Sequence, residues 1–220
     1  MLVLLLLTLT ASARPAITLG NSGPALTYVI LGDSTAAGVG AAYESGITLA
    51  TTRELALHSR VTMTNLGVSG AQMADVRRDQ LAAAAALRPE LVLLSAGAND
   101  VTHLTPVRNM RADLIEIVQQ LRAANPNVKI VITGSPDMGS PPRIPRLLRG
   151  LAGARTKAVN RMFEEEAARL QLTFAPIANR TGPLFRADRT LFHPDRFHPN
   201  ERGYATWIPV LNEALARAMP

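Results

Sequence analysis

Five apolar runs of strand length, separated by stretches of helical periodicity, constrain this chain more than any other feature. The runs are Thr27 to Leu31, Val61 to Leu66, Leu91 to Ser95, Lys129 to Thr133 and Leu172 to Ala175. Between them, Val107, Met110, Leu114, Ile117, Val118 and Leu121 share one helical face, with Thr105 and Pro106 as cap and first-turn pair. The spacing repeats from Arg155 to Leu170 through Val159, Met162, Phe163, Ala167 and Leu170. A last helix follows Asn200, a candidate N-cap, and presents Tyr204, Trp207, Ile208, Leu211 and Leu215; Pro209 is expected to kink it or delay its start. Strand and helix in alternation predict an α/β domain. Its five strands form a parallel sheet with helices on both faces, because parallel crossovers lay helices against the sides.

At 220 residues, with no break in composition, the chain reads as one domain from residue 26 to 220. Residues 1–13 read as a signal peptide: an apolar run to Thr10 is followed by Ala11-Ser12-Ala13, although no basic segment precedes it. The run is shorter than the ~20 residues a membrane-spanning helix needs. Residues 14–25, with Gly20-Asn21-Ser22-Gly23-Pro24, read as a tether. The expected location is therefore secreted or associated with the cell envelope. Cysteine is absent, so no disulfide or lipidated cysteine is available. The formal charge of +6 comes from scattered residues, nearly all arginine, and aromatics are only 4% of the chain, which argues against nucleic acid.

Four short words fall after the expected strands or in the last loop: Gly32-Asp33-Ser34, Asn65-Leu66-Gly67, Gly97-Ala98-Asn99-Asp100 and Asp195-Arg196-Phe197-His198. Open parallel sheets bind ligands beyond the carboxyl ends of their strands, where strand order reverses. A serine hydroxyl needs a base to become a nucleophile, and its attack on a carbonyl needs donors for the oxyanion. Ser34 is the candidate nucleophile and His198 the candidate base. Asp195, three residues before His198, can accept from its Nδ1–H and fix the tautomer. Candidate oxyanion donors are Ser34 N–H, Gly67 N–H and the Asn99 side chain. No Gly-x-Ser-x-Gly elbow occurs, which argues against the ordinary α/β-hydrolase arrangement.

On these residues the chain resembles the SGNH hydrolases, the GDSL esterase/lipase family, whose four marker residues fall here at Ser34, Gly67, Asn99 and His198. Thr35 stands where the family name has leucine. The stretches 32–40, 65–70 and 197–204 resemble those of secreted actinobacterial members. The resemblance implies a three-layer flavodoxin-like sandwich, the triad Ser34, Asp195 and His198, and the three-donor oxyanion hole. It also implies a serine esterase acting on short-to-medium acyl or acetyl esters of small molecules, lipids or glycans, with no cofactor. An envelope-glycan acyltransferase or deacetylase, and a noncatalytic module on the same scaffold, are the alternatives.

Other readings compete at single residues. Asp33 is a rival triad acid, but adjacent to Ser34 it is better placed to brace the turn. Asp100 is expected to support the loop after Asn99. His193, Asp195 and His198 carry metal-ligand chemistry, yet the third protein ligand expected of a catalytic site is not apparent nearby, and a neutral histidine with a serine explains more of the chain, so no metal is expected. His103 reads as a solvated loop residue and His58 as structural. Gly38-Val39-Gly40 lacks the third glycine of a dinucleotide fingerprint, since Tyr43 stands there. The irregular segment 138–150, with Arg143, Arg146 and Arg149, is either one wall of a substrate cleft or a solvated connection.

Overall fold

The computed structural model describes residues 15–219; the expected signal peptide lies outside them. In chain order the elements are β1 (Ile17–Leu19), β2 (Ala25–Gly32), α1 (Ser34–Ala37), α2 (Ile47–Leu55), β3 (Arg60–Asn65), α3 (Met73–Asp75), α4 (Leu81–Ala86), β4 (Leu91–Ser95), α5 (Ala98–Thr102), α6 (Val107–Ala124), β5 (Lys129–Ile132), α7 (Arg149–Leu170), β6 (Thr173–Phe174), α8 (Ile177–Ala187) and α9 (Glu201–Ala218). All five expected strands form. The count of five needs correcting, because the sheet has six strands in the order β1-β3-β2-β4-β5-β6. The sixth, β1, comes from the segment expected as a tether and pairs antiparallel with β3, Ile17 opposite Met63 and Leu19 opposite Val61. The other strand pairs are parallel. The turn residues of that segment take the chain past the start of β3. Gly20 and Gly23 hold φ of +83° and +84°, and a Cβ on either would strike the carbonyls of Ser59 or His58.

Successive side chains of a strand point to opposite faces, and the core divides accordingly. Val29 and Leu31 of β2, Val92 and Leu94 of β4, and Ile130 and Ile132 of β5 pack under Met110, Leu114, Ile117, Val159 and Phe163 of α6 and α7. Tyr28 and Ile30, Leu91 and Leu93, and Val131 face Ile47, Phe185, Trp207, Leu211 and Leu215 of α2, α8 and α9. The result is the expected helix–sheet–helix sandwich. Burial of both faces explains why the strands read as apolar runs.

From β2 the chain passes to β3 on one side and then to β4 on the other, so strand order reverses at β2. Ser34 directly follows that strand. The helix before β4 contains a π turn, Val76–Gln80, which delivers the Gln80 side chain to the end of β2. There Gly32 N–H donates to Gln80 Oε1 at 2.9 Å, and Gln80 Nε2 donates to Gly32 O at 2.8 Å. A glutamine side chain thus completes the backbone pairing of the residue two before Ser34. Gly32 is obligatory here, because at φ +141° a Cβ would lie 1.9 Å from Ser95 O.

Candidate active site

Each of the four words occupies a place that its residue types dictate. Asp33 caps α1: its Oδ1 accepts from Thr35 N–H and Thr35 Oγ1, both at 2.8 Å, so Asp33 braces the turn as expected. That leaves Ser34 in the first turn of α1, its carbonyl accepting from Val39 N–H at 2.9 Å. Tyr204 of α9 donates its hydroxyl to Val39 O at 2.8 Å and pins the loop from the other layer.

The last loop carries the imidazole. Arg196 takes a left-handed conformation, φ +61°, which folds residues 195–198 into a tight turn. Asp195 Oδ1 then accepts from the N–H groups of Phe197 at 2.9 Å and His198 at 3.1 Å. Its other oxygen, Oδ2, lies 2.6 Å from His198 Nδ1, and His198 Nε2 lies 2.9 Å from Ser34 Oγ. Residues 164 positions apart are thereby joined in one relay. Burial raises the Asp195 carboxyl, but the bonds from the His198 ring and the two N–H groups outweigh it and hold the group down at about 2. The carboxylate is therefore charged through the neutral pH range. The Phe197 ring meets the His198 ring edge-on at 5.1 Å, and the Arg143 guanidinium lies over Phe197 at 5.4 Å.

The candidate oxyanion donors are less free than the sequence suggests. Gly67 comes so close to α1 that a Cβ would lie 2.7 Å from Ala36 Cβ, but its N–H is already donated to Asn65 Oδ1 at 2.9 Å. Asn65, the first residue of that word, is a brace: its Nδ2 donates to Ala36 O at 2.8 Å and Thr48 Oγ1 at 3.1 Å. Asn99 Nδ2 spends one hydrogen on Ala71 O at 3.0 Å and keeps the second. Ser34 N–H has no acceptor among the described residues.

Asp100 supports its loop, accepting from Met73 N–H at 3.1 Å, and burial lifts its carboxyl to about 6. His103 Nδ1 contacts Asn99 O at 2.8 Å and is exposed. His58 follows α2 on the surface. His193 Nδ1 lies 3.5 Å from Asp195 Oδ2, the oxygen that also faces His198 Nδ1. Among the described residues no three His, Asp or Glu side chains are grouped as for a metal. Thr105, expected in a cap, instead donates its hydroxyl to Gln72 Oε1 at 2.6 Å, and α6 begins after Pro106 without a side-chain cap.

Beside Ser34 and His198 lies a cleft with a cavity volume of about 30 Å³. Its walls include Phe185, Phe192, Phe197 and Trp207, with Pro136 and Pro141 from the loop after β5. Segment 138–150 therefore supplies part of a wall, through Met138, Ser140 and Pro141. Of its arginines, Arg149 is tied down by bonds to the carbonyls of Ile144 and Pro142, each at 3.0 Å. Trp207 was legible only as part of an apolar helix face and Phe185 carried no signal in the sequence; the fold alone brings both to the cleft beside Ser34.

The GDSL-like lipase/acylhydrolase family model matches residues 30–206, a span that holds Ser34 and His198 together with Asp195. The chain belongs to this family. A curated GDSL-like esterase, Rv1075c of Mycobacterium tuberculosis, is 29% identical over 198 residues. That match covers 87% of the chain and 62% of the relative, so the chain spans less than two thirds of that esterase's length. Among solved structures, TesA superposes with a TM-score of 0.72 at 20% identity, covering 88% of this chain and 99% of TesA. A family 3 carbohydrate esterase of Clostridium thermocellum superposes at 0.65 and 16% identity, covering 88% and 96%. At such identities the two structures share the GDSL fold with this chain.

Proposed function

We propose that the protein is a serine ester hydrolase. The observation that carries this reading is the position of His198, 2.9 Å from Ser34 Oγ on one ring nitrogen and 2.6 Å from Asp195 on the other. Ser34 Oγ attacks the ester carbonyl while His198 Nε2 takes its proton; the imidazolium is held by the Asp195 carboxylate and then protonates the leaving alcohol. Water activated by the same imidazole releases the acid from the acyl-serine. Ser34 N–H and the second Asn99 N–H receive the oxyanion, and Gly67 N–H joins them by sharing its hydrogen with Asn65 Oδ1. The reaction uses no cofactor.

The narrow apolar cleft beside Ser34 supports a short acyl group, acetyl foremost, because a long chain would have to displace Phe185, Phe192 or Trp207. Export belongs to the same reading, supported by the apolar run and small residues of 1–13. A panel of p-nitrophenyl esters of rising chain length, with acetylated sugars and a lysophospholipid, tests the proposal. Turnover should be highest on the shortest acyl groups and fall by orders of magnitude in Ser34→Ala and His198→Ala. Wild-type turnover in either folded variant would overturn the mechanism.

A further inference from the structure

The segment that supplies Met138, Ser140 and Pro141 to the cleft wall continues into a surface whose side chains are poorly suited to water. Leu147 is 97% exposed, the most exposed large apolar side chain among the described residues, and Leu148 and Leu151 are 51% and 59% exposed. They stand at the junction of a 3-10 turn, Arg146–Leu148, with the first turn of α7. Leu104, 60% exposed, lies in the neighbouring loop, which Arg155 of α7 holds by a hydrogen bond to Thr105 O. One exposed leucine needs no explanation, but three within five residues, on a loop that also walls the cleft, do.

Charge on this segment is one-sided. From Met138 to Phe163 the sequence carries Arg143, Arg146, Arg149, Arg155, Lys157 and Arg161 and no aspartate or glutamate. None of these cations is in an ion pair among the described residues, whereas Arg111, Arg180 and Arg186 on adjoining elements, and Arg169 in the last turn of α7, are paired with carboxylates. The leucines are also rigidly presented. Pro141, Pro142 and Pro145 restrict the backbone, Arg149 is anchored to two carbonyls, and Arg143 N–H donates to Arg196 O at 2.9 Å. A surface ordered before it binds loses little entropy on docking.

We propose that this rim, Leu147, Leu148 and Leu151 with Arg146 and its neighbours, docks on an anionic lipid bilayer. The leucines enter the boundary between headgroups and acyl chains while the guanidinium groups pair with lipid phosphates. A polyanion such as nucleic acid would satisfy the arginines and leave the leucines in water; a neutral bilayer would do the reverse. Ser140 and Pro141 of the same segment line the cleft, so docking of the rim brings the cleft close to esters held at that surface.

The test is sedimentation of the full chain carrying Ser34→Ala with vesicles, so that binding is read without turnover. Vesicles of phosphatidylglycerol and phosphatidylcholine should retain the protein; pure phosphatidylcholine, or high salt, should retain far less. Leu147→Ser with Leu148→Ser, and separately Arg146→Glu, should each weaken retention about tenfold or more. The same substitutions made with Ser34 intact should leave hydrolysis of p-nitrophenyl acetate in buffer unchanged. Absence of retention on anionic vesicles overturns the proposal, as does retention indifferent to both substitutions. Binding to a soluble polyanion that competes fully with the vesicles and ignores the leucines would assign the face to nucleic acid or glycan instead. Failure of the esterase reading would appear only in turnover, never in this binding measurement.

Discussion

Asp33 is fully buried beside Ser34, the proposed nucleophile, and one of its carboxylate oxygens, Oδ2, has no hydrogen-bond partner among the described residues. Burial raises its pKa to about 6, against the lowering effect of the two Thr35 bonds and of His198. A carboxyl whose folded pKa lies above its unfolded value of 3.8 binds its proton more tightly in the native state. It therefore costs stability once pH rises through about 6, and the cost disappears below about 4. The molecule tolerates that cost where a negative charge acts on His198, the ring that becomes cationic in the proposed mechanism. Asp33→Asn keeps an acceptor for Thr35 and removes the charge. It should raise the melting temperature at pH 8, by an amount on the order of 2 kcal/mol in stability at most, with no gain at pH 4. Ester turnover should fall in the same variant by about tenfold, because the imidazolium loses a counter-charge. Thermal melts at the two pH values and initial rates at pH 8 check both halves. A loss of stability at pH 8 would mean that Asp33 is held as a structural brace alone.

At the scale of elements, the π turn that carries Gln80 to Gly32 is what fixes the end of β2. Gln80→Ala would leave Gly32 N–H buried without a partner, while Gly32 O keeps the bond from Val68 N–H at 3.0 Å; a buried unpaired group costs ~1–3 kcal/mol. Urea unfolding should show a loss of about 2 kcal/mol or more, and turnover should fall because Ser34 is no longer held toward His198. The long buried elements were legible in the sequence: the five runs became β2 to β6, and Asn200 caps α9 by accepting from Gly203 N–H at 3.0 Å. Pro209 lies inside α9 and delays nothing. Where packing overrides local pattern, the reading fell short. α7 begins at Arg149 instead of Arg155, its first turns disguised by Gly150 and Gly153. In the site, the words with chemical side chains were readable as candidates. Gln80 and the braces made by Asn65 were not, since nothing local distinguishes an amide that will bond backbone 48 residues away.

Across the whole molecule, the proposed catalytic side chain Ser34 follows the carboxyl end of β2, inside the sheet, and the outer strand β1 is free to do other work. β1 pairs with the first half of β3, Val61 to Met63, while the residues that brace the site, Asn65 and Gly67, lie beyond its reach. Its contribution is to close the hydrogen-bonding edge of β3, which would otherwise present unpaired N–H and C=O groups to any passing strand. It was hidden in the sequence because three residues among turn formers carry no periodicity. Starting the chain at Asn21 removes β1 and keeps the Gly23 turn that leads into β2. The shortened protein should melt several degrees lower and scatter light in a concentration-dependent way on warming, as bare β3 edges associate. Its turnover of p-nitrophenyl acetate per folded molecule should match that of the longer chain at 20 °C. A matching loss of turnover would show that strain at the sheet edge reaches Gly67 through β3, and that β1 belongs to the site's support as well as to the fold.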